Sequence, residues 1–170
     1  VYVDSVQQEI ILNYPLNNFN TTDSTMNFSW TAIDNLDSTL ICNLTIDGSI
    51  NATVIAQNNS ITNYTIFNLS ETTHSWNITC IDNATNYNTS VTWTFTRDIT
   101  GPKISLDLAN ETWQSDSLAN FTFTATDERG IDTCILYGDF SGEWEANFTS
   151  RDIISGTQAN FSINLTNNSY

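Results

Sequence analysis

Two stretches of eight residues, Asn27-Phe-Ser-Trp-Thr-Ala-Ile-Asp34 and Asn120-Phe-Thr-Phe-Thr-Ala-Thr-Asp127, stand 93 positions apart and share one pattern. Apolar and small polar residues alternate in both. A β-strand points successive side chains to opposite faces, so Phe28, Trp30 and Ala32 line one face of a half-buried strand, as do Phe121, Phe123 and Ala125. A spacing of 93 residues fits one sheet sandwich, and its repetition predicts two in tandem. The outward residues Asn27 and Ser29, and again Asn120 and Thr122, spell N-x-[ST], the acceptor signal for an N-glycan.

The remaining chain keeps the same rhythm. Strands are predicted over residues 9–15, 26–32, 40–46, 50–55, 61–69, 76–80 and 91–95, with 17–24 a polar turn and Asp47-Gly48 a hairpin. Inward stripes are Leu40, Cys42, Leu44 and Ile46, then Trp76, Ile78 and Cys80, then Val91, Trp93 and Phe95. Arg97-Asp-Ile-Thr-Gly-Pro102 marks a boundary, because Gly-Pro does not continue a central strand. Beyond it, strands are predicted over 104–108, 121–125, 132–137, 144–148 and 159–165. Aligning Leu69 with Leu165 puts Tyr170 opposite His74, so counterparts of 76–80 and 91–95 are missing from the second copy.

Three segments resemble the immunoglobulin-like repeats of archaeal and some bacterial secreted surface proteins. They are Asp98-Ile-Thr-Gly-Pro-Lys-Ile-Ser-Leu106, the doubled Asn-Phe-(Ser/Thr)-x-Thr-Ala-x-Asp, and Trp76-Asn-Ile-Thr-Cys-Ile-Asp-Asn-Ala-Thr-Asn86. Ala84-Thr85 departs from the glycine turn such repeats often carry. The resemblance covers nearly the whole chain and implies an extracellular, cell-surface setting: a stalk, S-layer, filament or adhesin module. The expected fold is all-β, two tandem immunoglobulin-like β-sandwiches, the second lacking its last two strands. Residues 1–8 read as the end of a preceding strand, a linker or a donated strand, 9–97 as the first domain, 98–102 as a linker and 103–170 as the incomplete second domain. The chain then reads as an excerpt of a longer array; were it whole, a neighbouring subunit would have to supply strands.

In an immunoglobulin-type sandwich the third and sixth strands are neighbours, so Cys42 and Cys80 are expected to form a cross-strand disulfide. Closing a loop of about 38 residues is worth roughly 4 kcal/mol in the chain-entropy model. Two buried thiols are the alternative. Cys134 takes the place of Cys42 in the second copy and is left as an unpaired thiol.

Only Arg97, Lys103, Arg129 and Arg151 oppose 19 acidic residues, for a formal charge of -15. Nothing could replace the counterions of a phosphate backbone, which argues against nucleic acid. No apolar run approaches the ~20 residues that span a bilayer. Val1-Tyr-Val-Asp4 lacks the features of a signal peptide, so the chain reads as processed or internal.

Acceptor signals recur at Asn20, Asn27, Asn43, Asn51, Asn58, Asn63, Asn68, Asn77, Asn83, Asn88, Asn110, Asn120, Asn147, Asn160, Asn164 and Asn167. Chance pairing of 23 Asn with 43 Ser and Thr would give about 6, so composition does not account for 16. In Asn160-Phe-Ser-Ile-Asn-Leu-Thr166 the acceptors alternate with Phe161, Ile163 and Leu165 and take the solvent face. Polar filler of strands and turns is the competing reading.

Acidic residues also recur: Asp4 and Asp98 at the two domain entrances, Asp34 and Asp127 at the turns after the second strands. Asp82 is expected to join Asp34 and Asp37 at one end of the sandwich. Calcium needs clustered oxygens, so Asp34, Asp37, Asp82, Asp98 and Asp127 are candidate ligands for an ion stiffening a domain junction. Aspartate as a turn initiator competes with that reading, and no EF-hand spacing is present.

Catalytic chemistry has little to draw on. His74 stands alone and is expected at a strand end near Trp76, and there is neither G-x-S-x-G nor a phosphate loop. Glu143 and Glu145 flank Trp144 in a solvent-facing manner, and an amide cross-link from Lys103 would lack its partner strand. Trp113, Trp144 and Tyr137 belong to no inward stripe and are the candidates to stack on sugars, with core or inter-domain packing as the competing and favoured reading. The sequence thus points to a non-enzymatic structural glycoprotein with no required cofactor beyond covalent glycans. Its expected partners are copies of itself, adjoining repeats or cell-surface glycans, with an adhesin or carbohydrate-binding module as the alternative.

Overall fold

A computed structural model describes residues 4–107 and 118–164. The chain divides into two compact units, Val1–Ile99 and Thr100–Tyr170. All regular structure among the described residues is β.

Unit 1 holds β1 (Glu9–Tyr14), β2 (Phe19–Thr21), β3 (Met26–Ile33), β4 (Thr39–Ile46), β5 (Ser49–Gln57), β6 (Ser60–Ile66), β7 (Thr73–Ile81), β8 (Tyr87–Thr89) and β9 (Trp93–Arg97). One sheet runs β1-β3-β6; the other runs β2-β9-β7-β4-β5, with β8 added to β7. This is an immunoglobulin-like sandwich. The alternating residues do what their period requires. Phe28, Trp30 and Ala32 of β3, Cys42 and Leu44 of β4, and Ile78 and Cys80 of β7 are completely buried. Across the core, Phe28 meets Trp76 and Phe95 edge-on, with ring centroids 5.1 and 5.6 Å apart. Truncating such a ring typically costs ~3–5 kcal/mol.

Cys42 lies directly opposite Cys80 in the β4–β7 ladder, and the two form the disulfide. Between β4 and β5 the two-residue turn Asp47-Gly48 has positive φ at both positions, 51° and 76°. Such a turn matches the twist of its strands and favours glycine second.

Several expectations need correction. The segment 17–24 is more than a turn, because β2 within it pairs in parallel with β9. Val91 is exposed and precedes β9, whereas Phe95 is buried. Ser29 is buried despite lying on the outward face of β3. Both β2 and β8 are only three residues long, too short for alternation to reveal, and owe their strand character to a neighbour.

Unit 2 contains β10 (Lys103–Leu106), β11 (Leu118–Thr126), β12 (Cys134–Gly138), β13 (Glu145–Ser150) and β14 (Gln158–Asn164). Its sheets are β10-β11-β14 and β12-β13. They match β1-β3-β6 and β4-β5 of unit 1 in order and pairing, and no counterpart of β7 to β9 occurs among the described residues. Phe123, Ala125, Cys134 and Phe161 form the core, with Phe123 stacked on Phe161 at 5.3 Å. Ile104 and Leu106 on β10 remain exposed.

Replacing both Cys42 and Cys80 by serine should lower unfolding free energy by about 4 kcal/mol, as the closed loop is 38 residues. Denaturant titration reads this directly, and a double variant with an unchanged midpoint would contradict it.

Candidate functional site

The end of unit 1 where β3 and β7 finish is a polar assembly organised by turns. Asp34 follows β3 and its Oδ1 accepts the N–H groups of Leu36 and Asp37 at 2.8 and 2.7 Å. Asn58, in the β5–β6 turn, clamps that loop: its Oδ1 accepts the Asp34 N–H, and its Nδ2 donates to the carbonyls of Asp34 and Asp37. Asp37 uses both carboxylate oxygens on Asn83, accepting from its N–H at 2.9 Å and its Nδ2 at 2.8 Å. Asp82, just after β7, accepts from the Asn86 N–H, the Asn86 Nδ2 and the Gln8 Nε2, each at 2.8 Å.

Asn86 Nδ2 also donates to the Asp4 carbonyl at 3.3 Å, and Asp4, Asp34 and Asp82 stand together, with one carboxylate oxygen from each within 4.8 Å of the others. Two of the five aspartates singled out from sequence, Asp34 and Asp82, therefore meet. Asp37 is turned onto Asn83. Asp98 lies at the opposite end of unit 1, where its N–H donates to the Thr21 carbonyl. It follows β9, which runs away from the Asp82 end, and so cannot join the group. Asp127 belongs to unit 2, where its Oδ1 accepts the Arg129 N–H at 2.7 Å. Sequence reasoning missed Gln8, which is 1% exposed and touches Asp82. A glutamine ahead of a strand, one of the pair Gln7-Gln8, carries no signal that would have found it.

His74 is buried near the start of β7, on the same face as Trp76, and it stacks on Phe95 at 5.1 Å. Its Nδ1 lies 2.7 Å from Asp47 Oδ2 and its Nε2 lies 3.1 Å from the Ser70 carbonyl oxygen, so both ring nitrogens are engaged. Asp47 also accepts the Ser75 N–H at 2.8 Å. The pair braces the β4–β5 hairpin against β7.

All fourteen acceptor asparagines among the described residues are exposed or half-buried; Asn110 and Asn167 lie outside those residues. Their amide nitrogens differ in freedom. Nδ2 of Asn58 holds two backbone carbonyls, as does Nδ2 of Asn147, and Nδ2 of Asn88 holds the Gln8 carbonyl. Asn83 is tied to Asp37. No hydrogen bond from Nδ2 occurs among the described residues for Asn20, Asn43, Asn63, Asn68, Asn120 or Asn164.

Trp144, immediately before β13, is 74% exposed, and Tyr137 on β12 is 49% exposed. Trp113 lies outside the described residues. Glu145 accepts the Ser141 hydroxyl. Cys134 is a buried free thiol on β12. On the outer face of unit 1, exposed Ile55, Ile41, Ile81 and Tyr87 sit in register across β5, β4, β7 and β8, a continuous apolar row.

No protein-family model matches the chain, and no curated protein sequence matches it. Among solved structures, fibronectin(III)-like modules of CbhA from Clostridium thermocellum align with a TM-score of 0.48 at 12% identity, covering 90% of this chain and 78% of that one. At that level the likeness assigns neither activity nor partner.

Burial pushes the Asp47 carboxyl up, but hydrogen bonds from His74 and the Ser75 N–H outweigh it and hold the pKa below its ordinary 3.8. A lowered carboxyl stabilises the fold above its unfolded value and loses that contribution as pH falls through the folded one. Asp47 is half-exposed, which limits the effect to about 1 kcal/mol or less. The melting-temperature gap between wild type and Asp47→Asn should thus be present at neutral pH and close in acid below 3.8. A gap that widens toward acid would show the sign to be wrong.

Proposed function

We propose that this chain is a stretch of an extracellular structural glycoprotein, built from immunoglobulin-like repeats in a cell-surface array or filament. The observation that carries this reading is the placement of the acceptor asparagines: all fourteen described ones are off the core, on both sandwiches. On β14 exposed Asn160 and Asn164 alternate with buried Phe161 and Ile163, so a glycan there costs no packing. The Cys42–Cys80 disulfide supports an oxidising compartment. The role is mechanical: glycans hydrate the exterior and shield it from proteases, while the sandwiches supply stiffness. Neighbours would be adjoining repeats or further copies. Strand complementation between copies is compatible with β12, which pairs only with β13 among the described residues.

A carbohydrate-binding or adhesin role is the second reading, favoured by the exposure of Trp144 and Tyr137 on one hairpin. Binding to a glycan array that is lost in Trp144→Ala would select it over a spacer.

Glycopeptide mass spectrometry of native protein should find Asn20, Asn43, Asn63, Asn68, Asn120 and Asn164 more fully occupied than Asn58 and Asn147. At the last two a glycan must displace amide hydrogen bonds to the backbone. An intact mass equal to that of the bare polypeptide would overturn the glycoprotein reading.

A further inference from the structure

The carboxylates of Asp4, Asp34 and Asp82 are brought together by a network whose donors are amides. Leu36 and Asp37 N–H groups bond Asp34, Asn86 and Gln8 bond Asp82, and the Val6 N–H bonds Asp4 Oδ1 at 3.1 Å. Amide dipoles orient the oxygens without neutralising them, and three like charges this close oppose one another.

A second observation comes from a neutral side chain at the same place. The Gln8 side chain is almost wholly buried, and its Nε2 donates to Asp82 Oδ2 and to the Asn86 carbonyl at 2.8 and 3.1 Å. Turning the amide over would set Oε1 against two acceptors, so the orientation is determined. Oε1 is left buried with no donor. Asp34 Oδ2 is in the same condition, on a residue 9% exposed. Buried polar atoms are nearly always satisfied, and the orphaned oxygens of Gln8, which bonds the Asp82 carboxylate, and of Asp34 itself leave room for a donor or a cation.

The spacing of the oxygens admits calcium. Calcium binds oxygen at 2.3–2.6 Å, so two ligands of one ion stand at most about 4.6–5.2 Å apart. The three carboxylate oxygens, within 4.8 Å of one another, fit one such shell. Carboxylates plus a side-chain amide oxygen in irregular array suit calcium, whereas magnesium demands a smaller and near-ideal octahedron.

We infer that Asp4, Asp34, Asp82 and Gln8 Oε1 bind a single calcium ion. The ion joins three parts of unit 1 that are distant in sequence: the segment leading into β1, the turn after β3 and the turn after β7. It therefore fastens the incoming chain to the end of the sandwich, and calcium removal loosens that entrance while leaving the core packed. The site rests on unit 1 alone and does not depend on the glycoprotein reading.

Calorimetric titration of the chelator-treated full chain with CaCl2 should give one site, with a dissociation constant of about 0.1–1 mM, the range of extracellular modules. The melting temperature should rise with calcium and fall back with EDTA. Asp34→Asn keeps the Oδ1 acceptor of its turn while removing charge, and Asp4→Asn alters a segment outside the strands; each should weaken calcium at least about tenfold. Because Asp4→Asn spares every turn bond of Asp34 and Asp82, it carries the test should Asp34→Asn fail to fold. Asp23→Asn, beyond the opposite end of β3, should bind like wild type. Absence of binding at millimolar calcium, with a melting temperature indifferent to EDTA, overturns the proposal. Equal weakening by Asp23→Asn overturns it too, since it would mean diffuse attraction to an acidic surface. Magnesium binding as tight as calcium would overturn the choice of ion.

Discussion

Unit 1 depends on the contact of Phe28, from one sheet, with Trp76 and Phe95 of the other. Each ring belongs to an alternating stripe, and each stripe has meaning only if the opposite sheet presents its own. Register is thereby determined: a shift of one residue along β3 would exchange Phe28 and Trp30 for Asn27 and Ser29 in the core. The β4–β7 ladder inherits that register, and only in it does Cys42 fall opposite Cys80. The polar end of the domain follows in turn, since Asp34 and Asp82 are the residues next to the ends of β3 and β7.

The two units solve the turn after the repeated strand with different side chains. In both, the closing aspartate caps its own loop, Asp34 accepting the Leu36 N–H and Asp127 the Arg129 N–H. In both, a polar residue from the link ahead of the last strand of the same sheet, β6 or β14, brackets the aspartate backbone on two sides. Asn58 does so in unit 1, while in unit 2 the Ser155 hydroxyl accepts the Asp127 N–H and donates to its carbonyl. An aspartate at this position is thus structural before it is anything else. What distinguishes Asp34 is the company of Asp82 and Asp4, together with an oxygen left unsatisfied.

How much of this was legible in sequence divides along physical lines. Long strands with a clear alternation, such as Leu40 to Ile46 or Trp76 to Cys80, announced both themselves and their buried faces. β2 and β8 did not, because three residues hold too little pattern and their pairing is decided by tertiary neighbours. Val91 keeps the alternation of Trp93 and Phe95 but stands ahead of the start of β9, where no ladder holds its side chain inward. Asp98 matches Asp4 in repeat position, but correspondence between repeats is not proximity in space, and the run of β9 carries it to the far end. Gln8 was invisible, since its importance comes from burial and from the direction of an amide.

The disulfide also limits how far the domain can be drawn out. The chain enters the sandwich through β1 and leaves through β9, and the bridge between β4 and β7 encloses β5 and β6 along with most of its own two strands. Were tension on the ends to part the two sheets, the chain between the cysteines, which are separated by 38 positions, would stay closed as a loop. At ~3.4 Å per extended residue, roughly 130 Å of contour is withheld from stretching. A yielding domain of this kind lengthens by little more than half of what its chain length would allow, so the bridge sets its reach as well as its stability.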